Sequence, residues 1–422
     1  MFLFRFKIPL WGLIFFAALG MIFLAKNLSA EEGCLISTSQ DILSCALKRH
    51  PHVIQAEAGK LRDSKLPDIA RQRPNPELQS RILGGQSADD TFLNTETSLL
   101  HTWELGDKRK ARVGQANALM DKAGSDFQAS QELAALQTVL ALYRLREIHT
   151  EFARIHETVS TFDKILATFK SRPTLTPEQE VSSSSFQLAR EEYKLKNTAL
   201  LQEQSELRSF LEWATGLSAL QLEKYFPGFK TDWPSVSPEQ TAGDSSYSSL
   251  SKARAEQKLA QANVHIAKSK VWPDLKIGPT IDTESLNSGR TDLIAGIALS
   301  VPLPILNLNK GEKAYAHLDK LKAEKEFELT LQKISIERSK QITRYQSATR
   351  ALQQSHSLRD LSAQHENMEA YFEKGLVPST LVIECHRQLY EVTRTRHEQE
   401  LAGIDALWRI YILDGKFLEQ KI

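Results

Sequence analysis

The chain states one plan twice, about 197 to 199 residues apart, and this duplication constrains its fold more than any other feature. Ala56, Ala70, Pro76 and Leu78 recur as Ala253, Ala267, Pro273 and Leu275, and Gly216 closes the first half as Gly415 closes the second. Each half runs in the same order: a helix, a Pro-anchored pair of alternating strands, a very long helix, a tip and a returning helix. Solenoid repeats have periods of about 20 to 50 residues, so a period this long means a duplicated domain. The expected organisation is residues 1–30 as an export signal, 31–220 as the first repeat, 221–246 as a connector and 247–422 as the second repeat. Strands are expected at about 76–105 and 273–303, and helical hairpins at about 108–216 and 310–415.

The export signal rests on Arg5 and Lys7 preceding an apolar stretch from Ile8 to Leu24, with small and polar residues ending at Ala30. The apolar stretch is shorter than the ~20 residues of a spanning helix. Glu31-Glu32-Gly33-Cys34 is a poor lipidation signal. Removing the segment takes the formal charge from +1 to about −2, which carries no basic bias toward nucleic acid. Three cysteines are too few for a disulfide scaffold or a Cys-based zinc site. Cys34 and Cys45 lie close in sequence, and an oxidising compartment permits a bridge between them. Cys385 is expected to pack within a helix.

From 293 to 303 every second residue is apolar: Leu293, Ala295, Ile297, Leu299, Val301 and Leu303. Before it, Leu275, Ile277 and Ile281 alternate with Lys276, Gly278, Thr280 and Asp282, and 283–289 reads as the hairpin loop. The first half is similar: Leu78, Ser80 and Ile82 oppose Glu77, Gln79 and Arg81. After a Gly84-Gly85 loop, Leu93, Thr95, Thr97, Leu99, His101 and Trp103 share a face. Such strands suit a transmembrane barrel, with Trp103 in an interfacial girdle. Four strands cannot close a barrel, which takes about eight or more. Strands from several chains are therefore expected to join.

The series Ile148, Phe152, Ile155, Val159, Phe162, Leu166, Phe169 alternates spacings of four and three, a heptad seam that requires a helical partner. Read as single helices, Lys108 to Phe169 spans about 93 Å and Lys310 to Phe372 a similar length. The first ends at a tip, 171–177, and the second at 374–378, each followed by a helix opening on Pro177 or Pro378.

No nucleophile elbow, phosphate loop or metalloprotease signature occurs in the mature chain, and an enzyme is not expected. His50 with His52, and His149 with His156, read as solvated or packed side chains. No cofactor and no metal ligand are assigned.

With this plan the chain resembles the TolC-type outer membrane efflux proteins, over nearly all of its mature length. The resemblance rests on Asp41-Ile42-Leu43-Ser44-Cys45-Ala46-Leu47 leading to His50-Pro51, on Trp272-Pro273-Asp274-Leu275, and on Val301-Pro302-Leu303-Pro304-Ile305-Leu306-Asn307 with Gly311 beyond. The junction Glu104-Leu105-Gly106-Asp107-Lys108-Arg109 is similar to the Glu-Leu-Gly-Gly-Lys-Arg turn of the heavy-metal cation branch, with Asp107 in place of the second glycine. The resemblance implies a mostly α-helical homotrimer whose three chains complete one 12-stranded transmembrane barrel, continued as a periplasmic α-helical tunnel. It implies a passive conduit in the outer membrane of a Gram-negative bacterium, served by an inner-membrane pump and a periplasmic adaptor, with heavy-metal cations as substrate. Type I secretion, organic-compound efflux and a non-pore periplasmic scaffold are the alternatives. It further implies that Gly375, Leu376 and Val377 form an adaptor-docking tip, that Glu384 belongs to an acidic entrance ring, and that Glu104, Leu105, Gly106, Lys108, Arg109, Pro302 and Pro304 make the strand-to-helix junctions.

Overall fold

A computed structural model describes residues 34–86, 91–237, 247–286, 289–356 and 358–422. The export signal at 1–30 and the connector residues 238–246 lie outside the described residues. Three short helices open the chain: α1 (Ser39–Arg49), α2 (Pro51–Asp63) and α3 (Leu66–Arg71). Thr38 caps α1 in a reciprocal box with Asp41, and the ring of Pro51 fixes the bend between α1 and α2. Strands β1 (Glu77–Gln86) and β2 (Thr91–Trp103) follow, then the 63-residue helix α4 (Lys108–Lys170), about 95 Å long. The chain returns as α5 (Pro177–Thr215) and reaches a short helix, α6 (Ala219–Leu222). The second pass runs α7 (Ser248–Ser269), β3 (Leu275–Leu286), β4 (Thr291–Ser300), α8 (Lys310–Gln354), α9 (Leu358–Glu373) and α10 (Ser379–Leu413).

The heptad seam finds its partners inside the chain. Ile148, Ile155, Phe162 and Leu166 of α4 are buried against Phe186 and Tyr193 of α5 and Val382 and Tyr390 of α10, so both returning arms pack on one long helix. Phe162 meets Phe186 and Tyr193 edge-on, at 5.3 and 5.9 Å between centroids. Gly114 and Gly124 do not interrupt α4. No helix among the described residues is long and apolar enough to cross a membrane.

Four expectations require correction. The second long helix is not single: α8 stops at Gln354 and α9 starts at Leu358. The break is covered from a distance in sequence: Arg396 of α10 donates to the carbonyls of Leu352 (3.4 Å) and His356 (2.9 Å) and to the Ser355 hydroxyl. Carbonyls that would otherwise be orphaned at a helix end thereby gain a charged donor. Gly84 and Gly85 are not a loop but strand residues paired with Leu93 and Phe92, and the Phe92 ring covers Gly85. Thr283 to Leu286 likewise belong to β3. Finally, β4 ends at Ser300, short of Val301 and Leu303, because Pro302 and Pro304 have no N–H to continue the ladder.

The part of the connector that is described lies strapped across the helices. Gly228 accepts from Arg146 (2.8 Å), Pro234 from the Tyr345 hydroxyl (2.7 Å) and Ser237 from Arg338 (2.9 Å), while Trp233 packs among Trp408, Tyr345 and Leu407. These contacts depend on side chains far along the chain.

Candidate functional site: an open sheet, its helical junctions and a hairpin tip

The four strands form one antiparallel sheet in the order β1-β2-β3-β4, leaving β1 and β4 at its edges. Residues paired across an antiparallel ladder share a face. The register pairs Leu78 with Leu99, Ile82 with Thr95, Thr97 with Ile281, His101 with Ile277, Ile281 with Ala295 and Ile277 with Leu299. Alternating apolar positions of both repeats thus lie on one side, where Leu78, Ile82, Leu93, Leu99, Trp103, Ile281, Leu293, Ile297 and Leu299 are exposed. The other side carries Glu77, Gln79, Arg81, Glu96, Lys276, Asp282, Glu284 and Asp292. There Lys276 bridges to Glu77 (2.5 Å) and Arg81 to Glu96 (3.8 Å). Strands β2 and β3 approach so closely at Gly278 that an added Cβ would lie 1.8 Å from the Leu99 carbonyl oxygen. This sheet has one apolar face, one charged face and two unpaired edges.

At the first junction Gly106 (φ 72°) and Asp107 (φ 59°) are both left-handed, and so is Asn309 (φ 52°) at the second. Asp and Asn are the non-glycine residues that tolerate this region best, which is why Asp107 can stand where a second glycine would. Gly106 has a second constraint, because a Cβ there would meet the Trp272 side chain at 2.5 Å. Lys108 reaches Asp274 at 2.7 Å, and Glu104 receives Arg112, which also donates to the Gln72 carbonyl at 3.3 Å. The Trp272-Pro273-Asp274 segment of the second repeat therefore locks onto the junction of the first. Arg109, Leu105, Pro302 and Pro304 are exposed. The sequence analysis missed Arg112, whose role depends on Glu104 eight residues earlier.

At the far end of the second hairpin, Gly375 (φ 72°) stops α9. Its N–H donates to the Phe372 carbonyl at 2.8 Å and that of Leu376 to Tyr371 at 3.0 Å, a Schellman arrangement that needs a residue free of the Cβ penalty. The Leu376 side chain is 68% exposed, whereas Val377 is half-buried. Glu384 is half-buried on α10, where Arg387 grips it at 2.7 and 2.9 Å and holds its carboxyl below the usual range. The Cys34 and Cys45 sulfurs are 1.93 Å apart, with Cα atoms separated by 5.9 Å. Cys385 is free and half-buried, its thiol pushed up by burial. His50 is buried and its Nδ1 accepts from the His52 backbone (3.2 Å), while His149 and His156 are exposed.

One polar cluster had not been singled out. His365 and Glu369, one turn apart on α9, meet His386 of α10. A His-x-x-x-Glu spacing on a helix was the available signal, but the third member comes from beyond the tip.

No family model matches the chain, and no curated protein matches it. Solved structures share its fold. It is similar to the outer membrane protein VceC of Vibrio cholerae (TM-score 0.67, 14% identity, 90% of this chain and 96% of that one). It is also similar to the open-state MtrE outer membrane channel of Neisseria gonorrhoeae (0.67, 16%, 90% and 89%). A third likeness is to CusC, solved in conformations that accompany transmembrane channel formation (0.65, 15%, 92% and 96%). At these identities the likeness lies in the fold: a mostly helical chain with a small antiparallel sheet between long helical hairpins.

Proposed function

We propose that the protein is a passive outer membrane conduit of a tripartite efflux system, a homotrimer whose sheets join into one barrel and whose helices extend it into the periplasm. The observation that carries this reading is the sheet, with strands of 10 to 13 residues, an exposed apolar face and two free edges. Lipid offers no hydrogen bonds to a strand edge, so such a sheet needs neighbouring copies to close it. The helices add support, because Val181, Leu188 and Leu195 on α5 repeat at seven-residue intervals and are exposed, a stripe with no partner of its own among the described residues.

The junction Glu104-Leu105-Gly106-Asp107-Lys108-Arg109 favours heavy-metal cations as cargo. Energy comes from an inner-membrane pump, joined through a periplasmic adaptor. Mass in detergent and planar-bilayer conductance test the core of the reading: a conducting trimer is expected. A stable monomer, fractionation with the soluble periplasm, or a trimer without conductance would overturn it, the last in favour of a scaffold. A deletion strain challenged with metals and toxic organics separates metal cargo from organic-compound efflux, and unaltered sensitivity to both points to polypeptide export.

Within this reading Gly375, Leu376 and Val377 dock the adaptor, and Glu384 lines the entrance with its charge tempered by Arg387. An exposed leucine at a turn adds little to its own hairpin yet offers apolar area to a partner. Leu376→Asp is expected to leave trimer yield and insertion normal while abolishing adaptor cross-linking and efflux resistance. Loss of the trimer would show that Leu376 is structural, and retention of both functions would remove the tip from docking.

A further inference from the structure

The cluster at the hairpin end has the chemistry of a metal site. His365 and His386 are 2% and 1% exposed, and one ligand atom from each of His365, Glu369 and His386 falls within 4.8 Å of the other two. His365 Nε2 lies 3.2 Å from His386 Nδ1 and 4.0 Å from Glu369 Oε1, and His386 Nε2 lies 3.2 Å from the same Oε1. Metal–nitrogen bonds of about 2.0 to 2.1 Å in a tetrahedral site place neighbouring ligand atoms about 3.3 Å apart; the His386 Nε2–Glu369 Oε1 pair is already at that spacing, and His365 Nε2 stands 4.0 Å from the same Oε1.

Hydrogen bonding decides which histidine nitrogen is free. The Thr158 hydroxyl spends its single proton on the Arg154 carbonyl at 2.9 Å, so toward His386 Nδ1, 3.1 Å away, it can only accept. A ring proton on Nδ1 meets that oxygen and leaves Nε2 a bare lone pair, and an ion on His365 Nε2 would keep that nitrogen, 3.2 Å from Nδ1, from donating there instead. That Nε2 is buried, has no hydrogen-bond partner, and stands beside a carboxylate oxygen, which is also an acceptor. Two facing acceptors need a cation between them. The surroundings suit a metal as well. Thr161 donates to Glu369 Oε1 at 3.2 Å, and Glu157 lies 3.9 Å from His365 Nδ1, outer partners of the kind that orient ligands.

We infer that His365, Glu369 and His386 bind one divalent transition-metal cation of the Zn2+ class. His365 and His386 would ligate through Nε2 and Glu369 through its carboxylate, with an open fourth position. Two imidazoles and one carboxylate suit zinc-like ions better than Ca2+ or Mg2+, which prefer all-oxygen shells. A bound ion would fasten α9 to α10 beside the Thr158 and Thr161 face of α4, on the segment that follows the break after Gln354. The site does not depend on the conduit reading, because it is built within one chain.

The test uses the full protein in detergent, stripped with chelator and titrated with ZnCl2 by calorimetry, and with Co2+ by its visible absorption. One ion per chain is expected, with the d–d bands of low-coordinate Co2+. His386→Ala and Glu369→Gln should each weaken Zn2+ binding by about 100-fold or more, while a His149→Ala/His156→Ala double variant binds as the parent does. Glu369 is 28% exposed, so Glu369→Gln keeps the fold even where His386→Ala does not. Absence of stoichiometric binding, binding unchanged in Glu369→Gln, or binding lost in the His149/His156 variant would each overturn the assignment.

Discussion

Ile297→Arg is expected to cost about 2 to 4 kcal/mol of assembly stability and to reduce trimer yield sharply, whereas Ile294→Arg is expected to be mild. Both lie in the central part of β4 and both are exposed apolar residues, so composition and depth are nearly matched. The register separates them. Ile297 pairs with Pro279 on the apolar face, but Ile294 pairs with Asp282 on the charged face, where an arginine would meet a carboxylate. The alternation alone points to Leu299 as a mid-strand probe. Because β4 ends at Ser300, Leu299 sits near the rim, where a charge costs only about 0 to 1 kcal/mol, and Ile297 becomes the sharper position. Heat stability of the trimer on gels is the readout. Equal effects of the two substitutions would refute the assignment of faces.

Arg146→Ala is expected to destabilise the helical body by about 3 to 5 kcal/mol, the range for stripping one partner from a buried ion pair. Arg146 holds Glu400 by two bonds (3.0 and 2.8 Å), donates to the Gly228 carbonyl, and stacks over the Phe229 ring at 4.4 Å. Its loss would leave Glu400 buried with only the Lys230 amide (3.0 Å) among these partners. Replacing Arg146 and Glu400 together by apolar residues should cost less than Arg146→Ala alone. The neighbouring Glu147 adds a pH dependence. Burial pushes it up to about 8, against the pull of Arg146 and Arg144. A carboxyl raised on folding contributes stability that is complete below its ordinary pKa and lost as pH rises through the folded value. Melting temperature should therefore fall between about pH 4.5 and 8, and in Arg146→Ala the fall should continue to higher pH. Glu147→Gln should flatten that limb, and an unchanged slope in Glu147→Gln would exclude Glu147 as its source.

The sequence by itself determined whatever depends on neighbours along the chain. Alternation placed the strands and sorted their faces, because side chains on an extended backbone point to opposite sides at every step. The four-three spacing from Ile148 to Phe169 marked a packed seam, and Gly375 and Pro177 marked where helices stop and start, since each acts on its own backbone torsions. The 197-residue recurrence announced two passes through one plan. Tertiary structure decided the rest. The break after Gln354 is capped by Arg396, some forty residues later, and no proline or glycine marks it. The strap at 226–237 is held by Arg146, Arg338 and Tyr345, the junction at Gly106 by Trp272, and the unpartnered nitrogen of His386 by a threonine on another helix. Each of these is a hydrogen bond or a contact between groups that only folding brings together, and local periodicity carries no record of them.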